Sequence, residues 1–454
     1  MQPVLLHTNP MKRPAVLALA ALLTLSVSQA AVPTDQAFSV KATWIQFMPG
    51  GGAEIRAVAV GHCPTVGFAL KDGKTIPPTP MQLRAAPTAD FPMVCSQPIP
   101  DGATKVFAEM AEVGPAKQIV GLAYRAPVPD PQRILVLGDT GCRIKGTYLQ
   151  ACNDPKAWPF AGLAKAAAAL KPDLIIHLGD YLYRESPCPA GNAGCAGSPW
   201  GDNWASWDAD FFAPAQPLLD AAPLIIIRGN HEDCFRAGPG FLRLMGPAAF
   251  DPAAPCTAHL PPYLVQAGSQ AIAVMDSAAA ADTPLDEAAV PTYVQDFEAL
   301  KAMANIGPGH ELWLATHRPI WGVTTFMGAP AGGNATMIKA AGDLSVFNAI
   351  SLMLSGHIHT FEAINYDAKI PPQIVAGHGG DNLDPTPADL RGTIFQGDSG
   401  VHVKTGLSVG GFGFLLLTRE KGNDGWTIEL YDSDGKPIKQ CAYVNRAIFC
   451  LAPR

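Results

Sequence analysis

Five short segments bring together residue types able to ligate a metal or move a proton. They are Gly138-Asp139-Thr140-Gly141, Gly179-Asp180-Tyr181-Leu182-Tyr183, Gly229-Asn230-His231-Glu232, Thr316-His317-Arg318 and Gly356-His357-Ile358-His359. Carboxylate, amide oxygen and imidazole donors suit Fe, Zn or Mn rather than a thiolate-loving metal. Such ions make hydroxide available near neutral pH and act as Lewis acids. A lone Gly-Asp or a lone His carries almost no information. Gly-Asn-His-Glu and Gly-His-x-His together, in this order, carry a great deal. There is no Gly-x-Ser-x-Gly elbow for a covalent serine route and no Cys-x-x-Cys pair for a thiolate metal site.

The segments follow apolar runs that must position them. Ile134–Leu137, Leu174–Leu178, Leu224–Ile227, Leu312–Ala315 and Leu352–Leu354 each end close to one of the motifs, and an Ala-rich stretch, Phe160–Leu170, predicts a helix between the first two. Runs of this length alternating with helices suit buried strands of an α/β sheet. In such sheets ligands bind beyond the C-terminal strand ends, so the motifs should converge. Before them, Phe38–Ile45 and Ala53–Val60 alternate, with a turn at Pro49–Gly52, and predict a small β-sandwich over residues 31–126. Ala126–Pro131 breaks regular structure and reads as a linker. The chain has 454 residues, which fits two domains.

The motif set resembles the calcineurin-like metallophosphoesterase superfamily. The resemblance implies an α/β fold, a four-layer αββα sandwich over residues 127–454 preceded by the small all-β (fibronectin- or Ig-like) domain. Within the superfamily the chain is similar to purple acid phosphatases. Most members carry Asp-x-His in the first motif; Gly141 stands here in place of that His, while the second motif gains Tyr183. The resemblance implies two metal ions: Fe(III) at Asp139, Tyr183 and His359, and Zn, Mn or Fe(II) at Asn230, His317 and His357, with Asp180 bridging. It implies that a metal-bound hydroxide attacks a phosphate monoester while His231 contacts the phosphate or protonates the leaving group, tuned by Glu232. Arg143 and Arg236 follow site loops and either hold phosphate oxygens or lie on the surface. Arg318, and His378 in a further loop, are added as pocket candidates. Tyr183 taken by itself is more often a packed tyrosine than a ligand.

The chain departs from the plant-type enzymes beyond His317, where Phe326 and Met327 occupy the region of a further substrate-contacting His. Substrate choice is therefore open. A phosphodiesterase or nucleotidase on the same scaffold, or a vestigial metal-containing binding protein, are the alternatives. The Ser186–Trp207 insert, with Trp200, Trp204 and Trp207, either walls the site or is ordinary core.

Composition sets the surroundings. A net charge of -7 argues against nucleic-acid scaffold binding and leaves a small phosphorylated substrate as the expected partner. Met11-Lys12-Arg13, an apolar run from Ala15 to Leu25 and Ser28-Gln29-Ala30 read as a signal peptide over residues 1–30, with Met1 or Met11 as the start. Export to the periplasm or medium, without stable membrane insertion after cleavage, follows from that reading. Ten cysteines fit an oxidising compartment and fall into five sequential couples, Cys142–Cys152, Cys188–Cys195 and Cys441–Cys450 foremost. Oligomeric state is not readable.

Overall fold

The computed structural model describes residues 37–113, 118–304, 311–396, 400–419 and 425–451. The expected leader, residues 1–30, lies outside them. Residues 37–454 form one compact unit. Among the described residues, no helix is long and apolar enough to cross a membrane.

Two large sheets stand at the centre. In the first, Arg133–Leu137, Leu174–His177 and Leu224–Ile226 run parallel. Gly413–Arg419 pairs antiparallel with Arg133–Leu137 and continues through Trp426–Asp432, Pro437–Val444 and Ala447–Cys450 to one edge. In the second, Gln270–Val274, Glu311–Ala315, Ile350–Ser355 and Gln373–Ala376 run parallel. The apolar runs read from sequence are these strands, buried on both faces as parallel strands require.

Alternation within each strand divides the core. Val136, Ile176, Ile225, Trp313, Leu352 and Ile374 belong to the cluster between the sheets. Leu135, Ile175 and Leu224 face the other way and meet helices Phe160–Ala169 and Ala213–Ala221. On the second sheet, Leu312, Leu314 and Met353 meet helix Val290–Met303. Helices thus cover the outer face of each sheet.

The N-terminal strands have their own core around Ile45, Ile55, Val66, Val106 and Tyr124. They are nevertheless joined to the first sheet, because Ser39–Phe47 pairs in parallel with Leu224–Ile226 at Gln46 and Leu224. Buried side chains add further ties. Arg56 donates to the carbonyls of Leu244 and Gly246 at 2.8 and 2.9 Å, and Arg84 donates to Leu242 and Ala248. The Leu242 and Leu244 carbonyls lie in the last turn of helix Gly238–Leu244 and need such donors.

All ten cysteines pair with their sequence neighbours: Cys63–Cys95, Cys142–Cys152, Cys188–Cys195, Cys234–Cys256 and Cys441–Cys450. A loop-entropy argument ranks their worth. Cys63–Cys95 closes 32 residues and should contribute about 3–4 kcal/mol, against about 2 for the seven-residue Cys188–Cys195 loop. Denaturant unfolding of the two double-alanine variants should show that order.

Candidate metal centre

Each motif begins where a strand stops, and the backbone there is unusual. Asp139, Asp180 and His357 have φ of 57°, 57° and 70°. The left-handed region is sparsely used by non-glycine residues and persists only where surroundings enforce it. The turn throws each side chain across the strand ends instead of along the strand.

The side chains converge. Tyr183 Oη lies 3.1 Å from Asp139 Oδ1, 2.9 Å from Asp180 Oδ2 and 3.2 Å from His359 Nε2. His317 Nε2 lies 3.0 Å from Asn230 Oδ1 and 3.2 Å from Asp180 Oδ2. A ring nitrogen of His357 completes a group in which the Asp180, His317 and His357 donor atoms all fall within 4.8 Å of one another. The structure therefore brings together all seven sequence-predicted ligands. One oxygen, Asp180 Oδ2, faces both the Tyr183 side and the His317 side.

Close packing explains the small residues in the motifs. A Cβ on Gly141 would lie 2.7 Å from Tyr183 Cδ2, so the tyrosine ring fills the space a side chain at 141 would need. A Cβ on Gly229 would overlap the Asp180 carboxylate.

The donor set fits cations. Asp139 and Asp180 are buried within reach of a single phenol oxygen, with no lysine among them. Burial, and then Asp139, Asp180 and Asp381, push the Tyr183 pKa well above that of an ordinary phenol. His317 and His359 lose by burial but gain more from the carboxylates, and rise to about 9 and about 10. Protons here stand in for the positive charge that metal ions would bring.

Supporting residues hold the ligands. Glu232 does not touch the His231 ring: its carboxylate accepts the backbone N–H groups of Gly229, Asp180, Tyr181 and Leu182 at 2.8–3.2 Å. It braces the loops, in place of the tuning role expected from sequence. The nearest acid to His231 is Glu185, whose Oε1 lies at ion-pair distance, 2.7 Å, from Nδ1. Burial alone would raise the Glu185 pKa, yet His231, Lys145 and Arg236 bring it down to about 2. Asp210, on the π-helical turn Asp208–Phe212, accepts from the backbone of Tyr183 at 2.7 Å and of Cys142 at 2.9 Å. Neither acid follows an apolar run, so neither stood out in the sequence.

The pocket candidates divide. Arg143 is clamped by the buried carboxylate of Asp381 and lies over the Tyr183 ring at 5.0 Å. Arg236 lies 3.7 Å from Glu185 and 3.5 Å from Asp233. Arg318 pairs with Asp282. His378 is 1% exposed, so its ring is shut in the core and does not line the cleft; neither ring nitrogen has a partner among the described residues. Trp207 is fully buried, Trp204 packs on the core beside it, and Trp200 is half exposed. Phe235, Phe326 and Met327 are exposed.

Burial lowers the His378 pKa from 6.5 to about 3. A depressed folded-state pKa means that the unfolded chain binds the extra proton first. Stability is then lost as pH falls from about 6.5 towards 3, at up to about 1.4 kcal/mol per pH unit. His378→Leu removes that slope and an unsatisfied polar ring. Urea unfolding between pH 4 and 7 should show a shallower pH dependence in the variant than in the wild type.

A family model for calcineurin-like phosphoesterases matches residues 132–361. No curated protein matches the chain. Among solved structures, the purple acid phosphatase PPD1 from yellow lupin (Lupinus luteus) seeds aligns with a TM-score of 0.60 at 14% identity, over 88% of this chain and 73% of that one. The structure of PhoD aligns at 0.59 and 12% identity, over 91% of this chain and 92% of that one. At these identities the likeness is one of fold. The family match spans all five motifs, and the chain belongs to the calcineurin-like phosphoesterase family.

Proposed function

We propose that this protein is an exported phosphomonoesterase of the purple-acid-phosphatase type, working with two metal ions. The observation that carries the reading is the position of Asp180 Oδ2, which faces two donor groups at once. Asp139, Tyr183 and His359 would hold one ion, for which a phenolate favours Fe(III). Asn230, His317 and His357 would hold a divalent ion, Zn, Mn or Fe(II). When bound, such a pair supplies Lewis acidity and a hydroxide nucleophile near neutral pH.

The chain's own residues do the rest. His231 Nε2 stands 3.9 Å from Asp180 Oδ2, at the edge of the donor cluster, while Nδ1 is held by Glu185. Phosphorus gains the oxygen of water and loses the ester oxygen, and the departing oxygen takes its proton from His231 Nε2. Arg236, beside Glu185, and Arg143, held by Asp381, place positive charge near the phosphate oxygens. The five disulfides agree with an exported address, and the N-terminal strands serve as a buttress through Arg56 and Arg84.

Visible absorption, metal analysis and hydrolysis of an aryl phosphate test this together. The expected result is a purple band, about two metals per chain as a two-metal site requires, and turnover. Tyr183→Phe should abolish the band, and Asn230→Ala should abolish turnover. A colourless, active protein containing Zn or Mn would remove the Fe(III)–tyrosinate assignment. Preference for a diester would favour the phosphodiesterase alternative. A metal-free protein that stays inactive after reconstitution would mean a vestigial binding domain.

Glu185→Gln keeps the shape but not the charge. It should lower kcat for alkyl phosphates by about 100-fold, the low end of the usual contribution of acid catalysis. The effect on p-nitrophenyl phosphate, whose leaving group needs little protonation, should be much smaller.

A further inference from the structure

The three ligand histidines are not oriented by the same kind of group. His317 Nδ1 donates to the Leu178 carbonyl at 2.8 Å, and His359 Nδ1 donates to the Asn382 carbonyl at 2.6 Å. A carbonyl can only accept, so in both rings Nδ1 carries a proton and Nε2 is the atom left to ligate an ion in place of its own proton. Those Nε2 atoms are the ones that face Asp180, Asn230, Asp139 and Tyr183. His357 is held differently: its Nε2 lies 3.0 Å from Asp282 Oδ2, and among the described residues no backbone carbonyl is its partner.

We propose that Asp282 is the positioning residue of the second metal site, fixing the His357 ring so that Nδ1 is presented to the ion. The proposal rests on the two-metal reading above. Arg318 also approaches His357 Nε2, at 2.9 Å, and pairs with Asp282. If Nε2 accepted from Arg318, the ring proton would sit on Nδ1 and face the cation site. The Asp282 carboxylate favours the opposite tautomer, with Nε2–H directed at it and the Nδ1 lone pair free. A carboxylate behind a ligating His is a recurrent way of fixing ring orientation and raising donor strength.

Asp282 is built to do this. Its Oδ1 accepts from Asn334 Nδ2 at 2.8 Å. Asn334 is itself fixed, because its Oδ1 caps helix Ala335–Ala341 through the Met337 N–H and its Nδ2 also donates to the Ala280 carbonyl. The Asp282 carbonyl accepts from the Ala335 N–H at 3.0 Å. One carboxylate oxygen is therefore anchored to a helix start, and the other is left for His357 and Arg318. Two of the ligand histidines depend on backbone that no substitution can remove, whereas the third depends on one replaceable side chain.

Titration of Mn or Zn into the metal-stripped full-length protein, followed by calorimetry and by metal content after dialysis, tests this without reference to turnover. The wild type should bind two ions. Asp282→Ala should leave one site unchanged and weaken the other by about 10- to 100-fold, the usual effect of losing such a partner. Asp282→Asn, whose amide oxygen still accepts from Nε2–H and which also guards against misfolding of the alanine variant, should fall between. His357→Ala is the reference for loss of that site. If His357→Ala weakens one site while Asp282→Ala and Asp282→Asn bind both ions as the wild type does, the positioning role is wrong and the two-metal reading stands. A wild type that binds fewer than two ions overturns both.

Discussion

Two carboxylates buried against each other set the terms for the rest of this molecule. Asp139 and Asp180 both reach the Tyr183 hydroxyl and lie in the core at the ends of neighbouring strands. Two unit charges about 6 Å apart repel by roughly 3 kcal/mol even at an effective dielectric near 20, before any desolvation is counted. No arginine or lysine side chain pairs with either carboxylate among the described residues. The donors around them are a phenol, an amide and imidazoles, which tolerate a cation and gain from it. Ions bound among these groups would offset that repulsion.

Much of the fold serves to keep those groups from drifting apart. The parallel strands end at one level, so the loops carrying Asp139, Asp180 and Asn230 rise side by side from one sheet, while His317 and His357 rise from the other. Left-handed turns at Asp139, Asp180 and His357 aim the side chains inward. Glu232 and Asp210 then take the N–H groups that these tight loops leave without partners. Where the backbone cannot reach, at the outer nitrogen of His357, the chain uses Asp282. The strain is local, and packing between the two sheets sustains it.

The parts that were legible in the sequence share a physical origin. Apolar runs mark buried strands, and Gly with Asp, Asn or His directly after them marks the strand-end loops. Those two signals placed the loops of Asp139, Asp180, Asn230, His317, His357 and His359, whereas Tyr183 was expected only from the family resemblance. The groups that went unseen act through long-range contact. Glu185, Asp282 and Asp381 lie off the motif pattern, and only the folded chain sets them beside His231, His357 and Arg143. The resemblance gave Glu232 a role in tuning His231, while the short 3₁₀ turn over Asn230–Glu232 sends its carboxylate to the backbone. His378 looked like a loop residue at a strand end, yet the Gly413 backbone closes over it. Pairing of the N-terminal strands with the first sheet depends on a single parallel contact that no local pattern encodes.

The central claim is that Asp180 lies between two ions. A crystal of the metal-reconstituted protein, measured at wavelengths on either side of each metal's absorption edge, would test it most directly. The account predicts two anomalous peaks roughly 3.5–4 Å apart, with Asp180 between them and Tyr183 on one side only. A single peak, or two peaks that do not share Asp180, would contradict it.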